Sequence, residues 1–185
     1  MRVVVLIWLL ACSTCAPGGD KRAWDPLSFD DQHVGPIDSR TPYSLSEIRR
    51  LLPGTTVELF RVAESGDVAN KSIETILVRF PDGGSLSITG IGGLVSSAAI
   101  GSARFEGPGG IRVGQNWHQA GFRRQDCEPI SYGLPYADAI SCTRPEAMNL
   151  RYRFRVPRFA YGRGSPPSIA YSEGRLETVG WSPAR

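Results

Sequence analysis

Few side chains in this 185-residue chain can do covalent or acid–base chemistry, and their spacing limits what that chemistry could be. A hydrolase needs a nucleophile with a base in hydrogen-bond reach, and the only histidines are His33 and His118. No serine stands in a G-x-S-x-G turn, so a hydrolase or a metal-binding protein would have to be centred on His118, with partners from elsewhere in the chain. A single histidine on a short amphipathic segment reads first as a half-exposed packing residue. Asp126 and Glu128 flank Cys127, and on a strand that spacing puts both carboxylates on one face. No second acid or aromatic sugar platform accompanies them, so solubility is their expected role. Gly90, Gly92 and Gly93 fit neither the dinucleotide fingerprint nor a P-loop. No catalytic residue, metal or cofactor is expected, and the protein is read as a non-enzyme.

The four cysteines divide by position. Met1-Arg2 precedes the apolar run VVVLIWLLA, which is far shorter than the roughly 20 residues that span a bilayer and reads as an export signal. Leu9-Leu10-Ala11-Cys12 places an apolar residue at −3, a small one at −1 and cysteine at +1, resembling the lipobox of bacterial lipoproteins. Residues 1–11 are then a cleaved signal peptide, and Cys12 carries the lipid; Cys15, after Thr14, is the weaker candidate. Several palmitate-like acyl chains make such an anchor stable, since each buried methylene contributes about 0.8 kcal/mol. Ser13, where an aspartate would retain the protein at the inner membrane, points onward to the outer membrane of a Gram-negative cell. The signal is short and carries a single charge, as expected if translation begins upstream. In that oxidising compartment Cys127 and Cys142 are expected to form a disulfide, because a metal site would call for C-x-x-C spacing.

The elements that must position these groups follow from hydrophobic period. Residues 12–43 are rich in Pro, Gly, Asp and Ser and read as a flexible tether on which Trp24 and Phe29 could dock back. Residues 44–185 then form one periplasm-facing domain. Ser44-Leu-Ser-Glu47 is a capping-box pattern opening a helix that ends at Pro53-Gly54. Thr56 to Ala63, Ser72 to Phe80 and Ser85 to Ile91 alternate as consecutive antiparallel strands, separated by Glu64–Asp67 and Pro81–Gly84. The segment Ile88–Cys127 is punctuated by glycines at turn positions; Gly107–Gly110 is a turn, Ile111 and Val113 point one way from a short strand, and Gly114 opens a helical segment carrying Trp117. Ala139 to Thr143, Leu150 to Val156 and Arg175 to Trp181 complete the strands. The predicted fold is α+β: a mostly antiparallel sheet with one or two short helices and one disulfide.

In LRYRFRV, Leu150, Tyr152, Phe154 and Val156 face the core, leaving Arg151, Arg153 and Arg155 on the wet face. The net charge of +3 is too small to argue for nucleic acid, and an exported protein rarely meets it. A basic strand face in the envelope suits lipopolysaccharide, peptidoglycan carboxylates or an acidic protein; as a solvated face it also blocks aggregation. Tyr132 and Tyr136, in a loop between the cysteines, extend this candidate binding surface.

Residues 45–182 resemble the sigma-E-regulated outer-membrane lipoproteins, a family classed as a domain of unknown function. The resemblance rests on the acylatable Cys12, the short helix leading into a meander, Gly110-Ile-Arg-Val-Gly114, the cysteine pair, Tyr152-Arg-Phe154 and Val179-Gly-Trp181. It implies a periplasm-facing α+β domain on a lipid anchor, and no catalytic residue. The expected function is binding of another envelope component or support of envelope integrity. An inhibitor of a lysozyme-like enzyme is the rival from another class; it would use Tyr132–Tyr136 or the Gly162–Pro167 loop as a protruding wedge.

Overall fold

The computed structural model describes residues 27–63, 72–130, 136–160 and 168–183. Cys12, Cys15, Trp24, the Glu64–Asp67 turn, Tyr132 and the Gly162–Pro167 loop lie outside them. Alternation of apolar and polar residues becomes one eight-stranded sheet. Strands β4 (Thr56–Ala63), β5 (Ser72–Arg79), β6 (Ser85–Ile91) and β7 (Leu94–Gly101) run in order as a first meander. A second meander, β9 (Cys127–Ile130), β10 (Tyr136–Arg144), β11 (Ala147–Ala160) and β12 (Arg175–Trp181), lies beside it in reverse, so the sheet reads β4-β5-β6-β7-β12-β11-β10-β9. Every pairing in this sheet is antiparallel. The seam between the meanders is short: Ile100, Ala99 and Ala98 of β7 pair with Val179, Gly180 and Trp181 of β12.

One face of the sheet carries the core, including Val57, Ile76, Val78, Leu86, Ile88, Ile100, Tyr152, Phe154, Leu176, Val179 and Trp181. Among the described residues, four pieces of chain cover it. Helix α1 (Leu45–Leu51) buries Ile48, with Leu52 at its end; the Ser44 hydroxyl accepts the Glu47 N–H at 3.2 Å. Half of the expected capping box is present, because the Glu47 carboxylate turns to Arg50 instead. Helix α2 (Ser168–Glu173) contributes Tyr171. The connection between the meanders, residues 102–126, contributes Phe105, Ile111, Trp117, Ala120 and Phe122. With helices of seven and six residues the fold is β-rich, a sheet with helical covers.

The fourth cover corrects the tether. Residues 27–43 form β1 (Leu27–Ser28), β2 (His33–Val34) and β3 (Ile37–Asp38), and β1 pairs in parallel with β8 (Phe105–Glu106). Phe29, Val34 and Ile37 are buried, and at about 1.5–3 kcal/mol per fully buried apolar side chain they belong to the domain energetically. Asp31 fixes the segment: its carboxylate accepts the Asn149 N–H at 2.7 Å, and its carbonyl accepts from Asn149 Nδ2 at 3.0 Å and Trp181 Nε1 at 3.3 Å. Polar composition masked this packing, because its apolar residues follow no helical or strand period.

Two expectations for the glycine-rich stretch change as well. The sequence does not announce strand β7: in LVSSAAIG the outward positions after Leu94 hold the small residues Ser97, Ala99 and Gly101. A hairpin turn through Gly92 and Gly93, at φ of 64° and 79°, leads into it. The segment from Gly114 is not a helix. Asn116 and Gln119 exchange backbone N–H bonds with each other's side chains (3.0 and 2.8 Å), closing a single turn, and Asn116 bridges to Arg175 of β12. Ile111 likewise pairs with Gly107 as an isolated bridge rather than a strand.

Candidate functional site

The face of the sheet opposite the core is the place where side chains can meet a partner. Alternation along β11 puts Arg151, Arg153 and Arg155 there, as expected from LRYRFRV. They are not a bare cationic stripe. Arg153 Nε and Arg155 Nη1 approach the two oxygens of Glu177 on β12 at 3.4 and 3.3 Å, and Arg151 Nη1 approaches Glu128 on β9 at 3.8 Å. The Arg151–Glu128 pair is exposed on both sides, at 70% and 73%, so it holds its partners weakly.

Between this stripe and the first meander the outward side chains become small, and a groove of about 450 Å³ opens. Its floor crosses four strands: Thr75 of β5, Ser87 and Thr89 of β6, Ser97 and Ala99 of β7, and Gly180 of β12. The Thr89 and Ser97 hydroxyls, 2.6 Å apart, satisfy one another. Arg151, Asn149 and Met148 stand at the far wall, and Met148 is 80% exposed. At the same end of the sheet, Phe60, Ile73, Ile91 and Leu94 form an exposed apolar band. Register places them together: Phe60 is opposite Thr75 and Ile91 opposite Leu94, and the β5–β6 pairing carried three residues beyond Ile76↔Ile88 sets Ile73 level with Ile91. Sequence reasoning missed the groove because β7 was not read as a strand. The usable signal was the run of Ser, Thr, Ala and Gly at outward positions of β6, β7 and β12.

Other expected site residues are placed elsewhere. Cys127 and Cys142 sit directly opposite each other on β9 and β10 and form the disulfide, with S–S 2.02 Å. Trp117 Nε1 lies 3.3 Å from Cys127 Sγ, and the Trp117 ring packs on Tyr171 at 4.8 Å. Burial of Tyr171 raises the pKa of its hydroxyl, and the Arg124 guanidinium over its ring, 5.1 Å away, opposes the rise. His118 is exposed, edge-on to the Trp117 ring at 4.9 Å, and does not line the groove. Among the described residues no three His, Cys, Asp or Glu side chains gather into a metal-binding group. Asp126 and Glu128 do not act as a pair. Asp126 accepts from the Arg123 guanidinium and backbone N–H at 3.0–3.1 Å, which lowers its pKa, whereas Glu128 faces Arg151. Tyr136 is placed as the first residue of β10.

No protein-family model matches the chain, and no curated protein does. Among solved structures, the crystal structure of the uncharacterized protein yfeY from Escherichia coli is similar, with a TM-score of 0.62 at 15% sequence identity. The match covers 84% of this chain and 98% of that one, and at this identity it shows a shared fold.

Proposed function

We propose that the protein is a non-enzymatic lipoprotein of the bacterial envelope, of the sigma-E-regulated outer-membrane kind, that binds another envelope component on the open face of its sheet. The observation that carries the reading is this face: one side of the sheet is buried under helices and loops, and the other presents the groove beside Arg151. A 450 Å³ concavity lies within the range of small-ligand sites, about 300–1,000 Å³. Location rests on separate support. The Leu9–Cys12 motif would supply an acylation site, and the Cys127–Cys142 disulfide suits an oxidising compartment. Acylation of Cys12 would hold the domain at the membrane through the residues before Leu27.

Mass spectrometry of the mature N-terminus, for wild type and Cys12→Ala expressed in a Gram-negative host, tests the anchor. A tri-acylated Cys12 in the outer-membrane fraction, lost in the variant, is expected. An unmodified N-terminus produced by cleavage elsewhere would sink the lipoprotein reading.

A further inference from the structure

We infer that the groove on the outer face binds a single-chain anionic lipid, its acyl chain lying over the floor and its anionic head meeting Arg151. This rests on the binding role just proposed for that face and names its ligand class. Three features of the groove select the ligand. First, the floor joins small side chains with a hydroxyl pair that needs no ligand. Thr89 and Ser97 already satisfy each other, and Ala99 and Gly180 add carbon surface. A methionine at the wall, Met148, adapts its shape to a flexible chain. Second, the exposed band of Phe60, Ile73, Ile91 and Leu94 lies at the same end of the sheet, so a chain longer than the groove still meets apolar surface. Third, the wall carries a guanidinium whose carboxylate partner is 3.8 Å away and solvent-exposed. Glu128 stands on β9, beyond β10 and away from the floor, so a phosphate or carboxylate in the groove would draw the Arg151 guanidinium off this loose pair and onto a shorter, charge-assisted bond.

Competing ligands fit less well. The groove crosses the middle of the sheet, where neighbouring strands take up the backbone groups, so a peptide would find no ladder to extend. Among the described residues, no exposed aromatic ring lies along the floor as a stacking platform for a glycan.

The test uses the mature chain, residues 12–185 carrying Cys12→Ala and so without the apolar signal or its lipid, titrated calorimetrically with palmitate, lysophosphatidylglycerol, lysophosphatidylcholine and chitotetraose. Saturable binding of the two anionic amphiphiles is expected, roughly tenfold tighter than the zwitterionic one, a ratio equal to about 1.4 kcal/mol. Ala99→Trp, which fills the floor from an exposed position, should weaken all amphiphiles by about tenfold or more. Arg151→Glu should abolish the preference for anions while keeping lysophosphatidylcholine binding. Arg155→Glu, outside the groove, should change neither. If Ala99→Trp proves unstable, Ser87→Phe fills the same floor from β6. Undiminished binding in a correctly folded filled variant, tighter binding of chitotetraose, or no saturable binding would overturn the inference. Failure of the anchor is separate: an unmodified wild-type N-terminus with intact amphiphile binding leaves the groove assignment standing, and an acylated Cys12 without binding does the reverse.

Discussion

Tyr152 shows how a single buried atom writes itself into solution behaviour. Its ring packs between Phe29, 6.5 Å away, and Phe122, 4.8 Å away, and its hydroxyl finds no hydrogen-bond partner among the described residues. Burial pushes its pKa up to about 12, against 10.0 for a free tyrosine. The unfolded chain therefore loses this proton first as pH rises, and the folded state is progressively disfavoured between pH 10 and 12, by roughly 2–3 kcal/mol at the upper end. Below pH 10 both states keep the proton and the contribution is constant. Urea unfolding at pH 8, 10 and 11.5 should show that decline in wild type and a smaller one in Tyr152→Phe. At pH 8 the variant should be as stable as wild type or more so by up to about 1 kcal/mol, because it removes an unpaired hydroxyl. A pH 8 loss of several kcal/mol would mean that the hydroxyl has a partner. Gly90 makes a steric point at the same scale: the Tyr43 ring lies on its Cα, where a side chain would have to stand. The Tyr43 hydroxyl donates to the Glu74 carbonyl at 2.9 Å, locking the start of the domain onto the first meander.

The two edges of the sheet are protected very differently. Strand β9 is four residues long and contains Pro129, and the disulfide bolts it to β10. Closing a loop of this length contributes roughly 3 kcal/mol in the chain-entropy account, so reducing the bond should lower stability by about 2–4 kcal/mol, read as a shift of the urea midpoint with and without dithiothreitol. An unchanged midpoint would mean that β9 is held by its ladder alone. Strand β4 has eight residues and no proline, and Phe60 is 54% exposed. Its protection comes from α1, where Arg49 Nη2 donates to the Val57 carbonyl at 3.0 Å. How much of this was legible follows the strength of each local signal. Strands β4, β6 and β12 could be bounded from sequence because β-branched and aromatic residues alternate with polar ones over seven or eight positions. Strand β7 could not, since Ser96, Ser97, Ala98 and Ala99 carry no β preference and gain their place only by pairing with β6 and β12. The groove went with it. The arginine stripe was visible in the alternation of β11, but its glutamate partners come from β9 and β12, and only the strand order reveals them.

As a whole molecule, the domain begins earlier than its sequence suggests. A chain cut at Ser44 loses Phe29, Val34 and Ile37 from the core and leaves the indole N–H of Trp181 without the Asp31 carbonyl. Residues 44–185 alone should therefore show broad, non-cooperative unfolding by circular dichroism, whereas residues 27–185 should unfold in one sharp transition. Equal cooperativity in the two would show that the leading segment is an accessory. The short seam between the meanders carries a different consequence. Each meander is continuous in sequence, and only three residue pairs join them across β7 and β12, with Ala98, Ala99, Gly180 and Trp181 of that seam also lining the groove. Such a chain is divisible. Nicked within the long connection, at the turn through Gly109 and Gly110, its two pieces retain complementary half-sheets that can reassemble, and an occupant of the groove would act as a splint across the join.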